Sequence, residues 1–162
     1  MIMRILIVED EAIIALCIGL TLQQAGHEVM GPAGRLEACL QLAEHEVPEL
    51  ALIDISLENG GSGIDVARAL LKRWDVRSIY VSAQTAQARE NGDVALGCLH
   101  KPFATRSLLE TIEVAEILRQ GALPLRLPEG LQLFTPSKRT GLAVCYPPPS
   151  PQIPSAPHPQ RR

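Results

Sequence analysis

The sequence predicts an α/β fold: a doubly wound, five-stranded parallel sheet with helices on both faces. Three observations lead there. Short apolar runs alternate along the chain with helical stretches, five of each. The apolar runs are unbroken rather than alternating with polar residues, which marks strands buried on both faces, as in a parallel sheet covered by helices. Parallel strands joined by crossovers are connected right-handedly, and this winds the helices onto both sides.

The first strand is Ile5 to Val8, β-branched and apolar, followed by the acids Glu9, Asp10 and Glu11 and a helix from about Ala12 to Gln24 that stops at Gly26. Val29 and Met30 lead into a helix near Arg35 to Glu44, and Leu50 to Ile53 into one near Ile64 to Trp74. Ile79 to Val81 precedes a weakly periodic, polar stretch near Ala86 to Asn91, expected to be short or irregular. Cys98 to His100 and a helix from Ser107 to Gln120 complete the series. The stripe Leu108, Ile112, Ala115, Leu118 in that last helix is core packing.

A chain of 162 residues, 46% of them hydrophobic, has room for one good core. The expected domain runs over 1–120, with a proline-rich extension over 121–162, because 10 of the 13 prolines fall in the last 42 residues. Leu125 to Phe134 is too apolar for a free linker and too short for a core, so it needs a surface. Docking on a neighbouring subunit and folding back on its own domain both satisfy that need. From Tyr146 onward the chain should be extended.

Charge excludes some functions. Residues 1–120 carry 17 acids against 10 bases, whereas 121–162 carry one acid, Glu129, against five bases. An acidic body disfavours direct contact with nucleic acid, and an aromatic content of 3% leaves few stacking platforms. The cysteines at 17, 39, 98 and 145 lack any C-x-x-C spacing, which suggests free thiols in a reducing compartment. The apolar run from Ala12 to Leu22 is too short to span a bilayer and follows three acids, so no membrane insertion and a cytoplasmic location are expected.

Ligands in a doubly wound sheet bind beyond the carboxyl ends of the strands. The first strand here ends in Glu9, Asp10 and Glu11, the third in Asp54, the fourth in Ser82 and the fifth in Lys101-Pro102. Each residue alone has an ordinary explanation: acids favour a helix N-terminus, Asp54 is a strand-end cap, Ser82 a turn residue and Lys101 a surface charge. Their convergence on one sheet edge is what points to chemistry. Carboxylates gathered together repel unless a cation lies among them, and hard oxygen donors suit Mg²⁺. His27, His45 and His158 read as solvated loop or tail residues, and His100 as facing away from the site.

An acidic pair, a lone Asp, a Ser and a Lys-Pro, each after its own strand, resemble the receiver domain of bacterial two-component response regulators over residues 3 to 120. The resemblance implies a stand-alone receiver with Asp54 as phosphoacceptor, Asp10 and Asp54 as direct Mg²⁺ ligands, Glu9 as a ligand through water and the Ser56 carbonyl as a further ligand. Ser82 would bond a phosphoryl oxygen, Lys101 would pair with the phosphoryl charge, and a cis bond would precede Pro102. It further implies a histidine kinase or histidine phosphotransfer protein upstream, an unknown protein downstream and a possible homodimer. The alternative within the fold is a pseudo-receiver that binds partners without turning over phosphate. It predicts a damaged acid or lysine position, and none is present. An aspartyl-phosphate phosphatase would carry Asp two residues after its nucleophile, where this chain has Ser56, and a flavodoxin-like carrier would have a Ser/Thr/Gly-rich loop in place of the three acids.

Two features depart from the receiver pattern. Cys98 stands three residues before Lys101, where receivers usually carry an aromatic switch residue, and the loop after Asp54 lacks the common Met-Pro and is one residue longer.

Overall fold

The computed structural model describes residues 1–57 and 61–134. Five strand–helix units follow one another: β1 (Arg4–Val8), α1 (Ala12–Gln24), β2 (Glu28–Ala33), α2 (Leu36–His45), β3 (Leu50–Ile53), α3 (Gly63–Trp74), β4 (Arg77–Ser82), α4 (Thr85–Glu90), β5 (Gly97–His100) and α5 (Thr105–Arg119). A sixth strand, β6 (Leu131–Leu133), comes after them. The sheet order is β2-β1-β3-β4-β5-β6, parallel throughout except that β6 runs antiparallel to β5.

Side chains alternate across each strand, and the sheet therefore separates two cores. Leu6 and Val8 of β1, Ala51 and Ile53 of β3 and Tyr80 of β4 pack with α2, α3 and Ala88 of α4. Ile5, Ile7, Leu50, Leu52, Ile79 and Val81 point the other way, against Ala15, Ile18 and Leu22 of α1 and Leu108, Ile112 and Ala115 of α5. The unbroken apolar runs are thus explained: every position of β3 is buried because both faces are covered. The polar stretch expected to be weakly helical is α4, six residues with only Ala88 buried.

The sixth strand corrects the expectation of five. It lies beyond residue 120, in the stretch whose apolar residues needed a surface, and of the two outcomes foreseen for that stretch the chain folds back on its own domain. Gly97 lies opposite Leu133, Cys98 opposite Gln132 and Leu99 opposite Leu131. Leu131 joins the α1/α5 core, with Leu127 and Leu133 packed against it, and Phe134 packs on the other core. Leu125 is fully exposed. Gly130, at φ +82, sits in the left-handed region that turns the chain into β6, and its carbonyl accepts the His100 amide at 2.9 Å. Glu58 to Gly60 in the loop after Asp54, and the proline-rich stretch from Thr135, lie outside the described residues.

Candidate functional site

The order β2-β1-β3 reverses the direction of winding at β1 and β3, and a crevice opens outside their carboxyl ends. The Asp54 amide donates to the Val8 carbonyl at 2.8 Å, which fixes the end of β3 beside that of β1. Glu9 and Asp54 follow these two strands, and both are largely buried. Lys101 reaches in from the end of β5 and donates to Glu9 Oε2 at 2.6 Å and Asp54 Oδ2 at 2.7 Å, its side chain 16% exposed. The Lys101–Pro102 peptide is cis, in agreement with the expectation for that bond.

The electrostatics of this trio follow from burial. Desolvation pushes the Glu9 carboxyl above its ordinary value despite the hydrogen bonds from Lys101 and the Glu11 amide. Burial acts to lower the Lys101 ammonium, but its hydrogen bonds to Asp54 and Glu9 outweigh that and hold it above the usual lysine value. The lysine therefore enters the site as a cation.

The remaining residues frame this centre. Glu9 Oε1 accepts the Glu11 amide at 3.0 Å, Asp54 Oδ1 the Ser56 amide at 3.1 Å and Ser82 Oγ the Gln84 amide at 3.1 Å, so each side chain also holds the loop after its own strand. Ser82 is 2% exposed, and its carbonyl accepts the Lys101 amide at 3.2 Å. Ser56 is exposed, and its hydroxyl accepts a hydrogen bond from the Gln84 side chain, joining the loops after β3 and β4. Cys98 is buried on β5 opposite Tyr80, its thiol pushed up to about 11 by burial. It is a packing residue, without the ring of a receiver's aromatic switch.

The geometry differs from the expected ligand set at one place. Among the described residues, the carboxylate oxygens within 4.8 Å of one another are those of Glu9, Glu11 and Asp54. Asp10, expected as a direct ligand, is half-buried beside Gly34 and is not in that group. Three hard carboxylate oxygens at this separation are the donor set a small divalent cation takes.

Sequence reasoning missed Gly63, the first residue of α3. A methyl group there would collide with the Asp54 carbonyl oxygen and lie 2.7 Å from Cγ2 of Ile53. The Gly63 amide donates to the Ile55 carbonyl at 2.9 Å, so the helix start is seated directly on the backbone that carries Asp54. The run Gly61-Ser62-Gly63 before a helix was the available signal.

Residues 5–113 match the family of the response regulator receiver domain. The chain belongs to this family. Receiver domains are parts of signalling proteins rather than classical enzymes. The phyllosphere-induced regulator PhyR of Methylorubrum extorquens is 34% identical over 122 residues, 74% of this chain and 45% of that protein. The transcriptional regulatory protein PdtaR of Mycobacterium tuberculosis is 32% identical over 117 residues, 69% of this chain and 56% of that protein. The chain thus spans about half the length of these relatives. Among solved structures, the PhyR receiver domain of Erythrobacter litoralis superposes with a TM-score of 0.64 at 29% identity, covering 71% of this chain and 90% of that one. The response regulator PhyR of Brucella abortus gives 0.60 at 27% identity, over 75% and 53% of the two chains. Among the described residues no helix is long and apolar enough to cross a membrane.

Proposed function

We propose that this receiver accepts a phosphoryl group on Asp54 from a phosphohistidine of a histidine kinase or phosphotransfer protein in the cytoplasm, and signals by binding a downstream protein in the phosphorylated state. The observation that carries the reading is the Lys101 ammonium held between Glu9 and Asp54. A phosphoryl group in transfer carries negative charge on its equatorial oxygens, and a fixed cation at the acceptor offsets it.

A carboxylate oxygen of Asp54 forms the new P–O bond as the P–N bond to the donor histidine breaks, the electron pair passing to the imidazole nitrogen. Lys101 pairs with one phosphoryl oxygen, and the Ser82 hydroxyl donates to another. Mg²⁺ would be held by Asp54, with Glu9, the acids at 10 and 11 and the Ser56 carbonyl as the remaining candidates. When bound, it supplies positive charge against the phosphoryl oxygens.

The donor needs a docking surface at the mouth of the site. Ile13, Leu16 and Leu20 of α1 are exposed at helical spacing, 78%, 61% and 48% respectively. Ile13 also lines a groove of about 530 Å³, together with Ile14, Cys17, Phe103 and Thr105, that reaches Lys101 itself. An apolar helix face left exposed among the described residues beside the acceptor fits a helical phosphodonor.

Intact-mass measurement with acetyl phosphate and Mg²⁺ tests the reading. The wild type should gain one phosphoryl group and Asp54→Asn none. An unchanged wild-type mass at short times, together with no fluorine resonance from beryllium fluoride bound at the site, would refute it in favour of the pseudo-receiver.

A further inference from the structure

The strand that closes the β5 edge touches the parts of the domain that leave the site. Its entry is tied by the His100 amide to the Gly130 carbonyl, one residue before Lys101. His100 also stands opposite Ser82 in the β4–β5 register. From α4, Arg89 donates to the Gln132 side chain at 3.4 Å. Beyond α4, the ring of Phe134 lies against Gly92, where an added methyl group would come within 2.8 Å of Cγ, and the Phe134 amide donates to the Leu96 carbonyl at 2.9 Å.

Tyr80 joins these contacts to the sheet. It is wholly buried, two residues before Ser82 on the same face of β4, and its hydroxyl donates to the Asn91 carbonyl at 3.2 Å. Its ring meets that of Phe134 at 6.3 Å between centroids, tilted by 54°. The pairing of β6 is short: three residues, with Leu131 its one buried side chain, Gln132 exposed, and Leu133 and the following Phe134 only half-buried. A segment so held opens locally far more readily than the whole fold.

We propose that β6, with Phe134, is a detachable strand that reads out the Asp54 site and leaves the β5 edge when that site carries a phosphoryl group. The inference rests on the phosphoacceptor reading above. A phosphoryl group at Asp54 draws the Ser82 hydroxyl and the Lys101 ammonium toward itself. Ser82 ends β4, and its hydroxyl presently accepts the Gln84 amide, so its movement shifts the start of α4. The far end of α4 and the turn after it carry Arg89, Asn91 and Gly92, through which Gln132, Tyr80 and Phe134 are held. The same event thus disturbs β6 from the α4 side and from the His100–Gly130 bond. No ring at position 98 is needed.

Hydrogen exchange read by mass spectrometry on the full chain tests this, with and without beryllium fluoride and Mg²⁺, while fluorine NMR reports occupancy of Asp54. With the site occupied, the peptide containing Leu131 to Phe134 should exchange about tenfold faster while peptides of β1 and β3 do not. Phe134→Ala should exchange fast in both states, and Asp54→Asn should show no response. Bound beryllium fluoride with unchanged or slower exchange of β6 overturns the strand-release proposal alone. No bound fluorine resonance overturns the phosphoacceptor reading and this proposal with it.

Discussion

Lys101 donates to Asp54 Oδ2 at 2.7 Å across 47 residues of chain, and the same ammonium contacts Glu9. Replacing it leaves two largely buried carboxylates with no cation between them. Lys101→Met should cost about 2–3 kcal/mol near neutral pH in the presence of a chelator. The sign with pH follows from the raised lysine. Its contribution is fully present below the ordinary value of 10.5 and is lost as pH rises through the higher folded value. Urea denaturation of the two proteins should therefore show a gap that is constant from about pH 7 to about pH 9 and narrows in the alkaline range. A gap that widens there refutes the assignment.

The acids at 10 and 11 separate two versions of the cation site. We expect Asp10→Asn to weaken Mg²⁺ binding more than tenfold and Glu11→Gln only a few-fold, because an exposed carboxylate is replaced by water at small cost. Calorimetric titration decides between them. If Glu11→Gln has the larger effect, the grouping of Glu9, Glu11 and Asp54 is the binding arrangement.

Gly63→Ala should damage stability and site together. The added methyl group cannot be accommodated without moving the Asp54 backbone, and overpacking against main chain costs about 1–3 kcal/mol. Thermal melting should register that loss, and phosphorylation by acetyl phosphate should slow. A variant that melts normally and phosphorylates at the wild-type rate would show that α3 is not seated on the Asp54 backbone.

Thiol reactivity should follow burial. Cys17 is exposed, whereas Cys39 and Cys98 are buried, with thiols pushed up to about 12 and about 11. Brief alkylation of the native protein and peptide mapping should find Cys17 modified, and Cys39 and Cys98 only after unfolding. Rapid native labelling of Cys98 would contradict its place between β4 and β6.

Five strands, their order of appearance and the placing of four candidate-site residues at the sheet edge were legible because each depends on local pattern. Apolar runs mark buried strands, and a polar residue directly after such a run falls on the sheet edge, as with Glu9, Asp54, Ser82 and Lys101. What escaped depends on distant partners. Leu131 to Leu133 lies in a stretch that visibly needed a surface, but its three residues become a strand only because β5 offers an edge. Glu11 joins the carboxylate group, and Gln84 reaches Ser56, through the path of loops that no periodicity encodes. Gly63 is required by a contact with Asp54 that exists only once β3 and α3 have met.

The antiparallel β6 also has a practical consequence for anyone trimming this protein. A cut after Gln120, where the composition changes, would strip the backbone of Gly97, Cys98 and Leu99 of its neighbour and leave a bare strand edge. Such edges recruit other chains. The shortened fragment would invite self-association through that edge, and an oligomer found only with it would be an artefact of the cut.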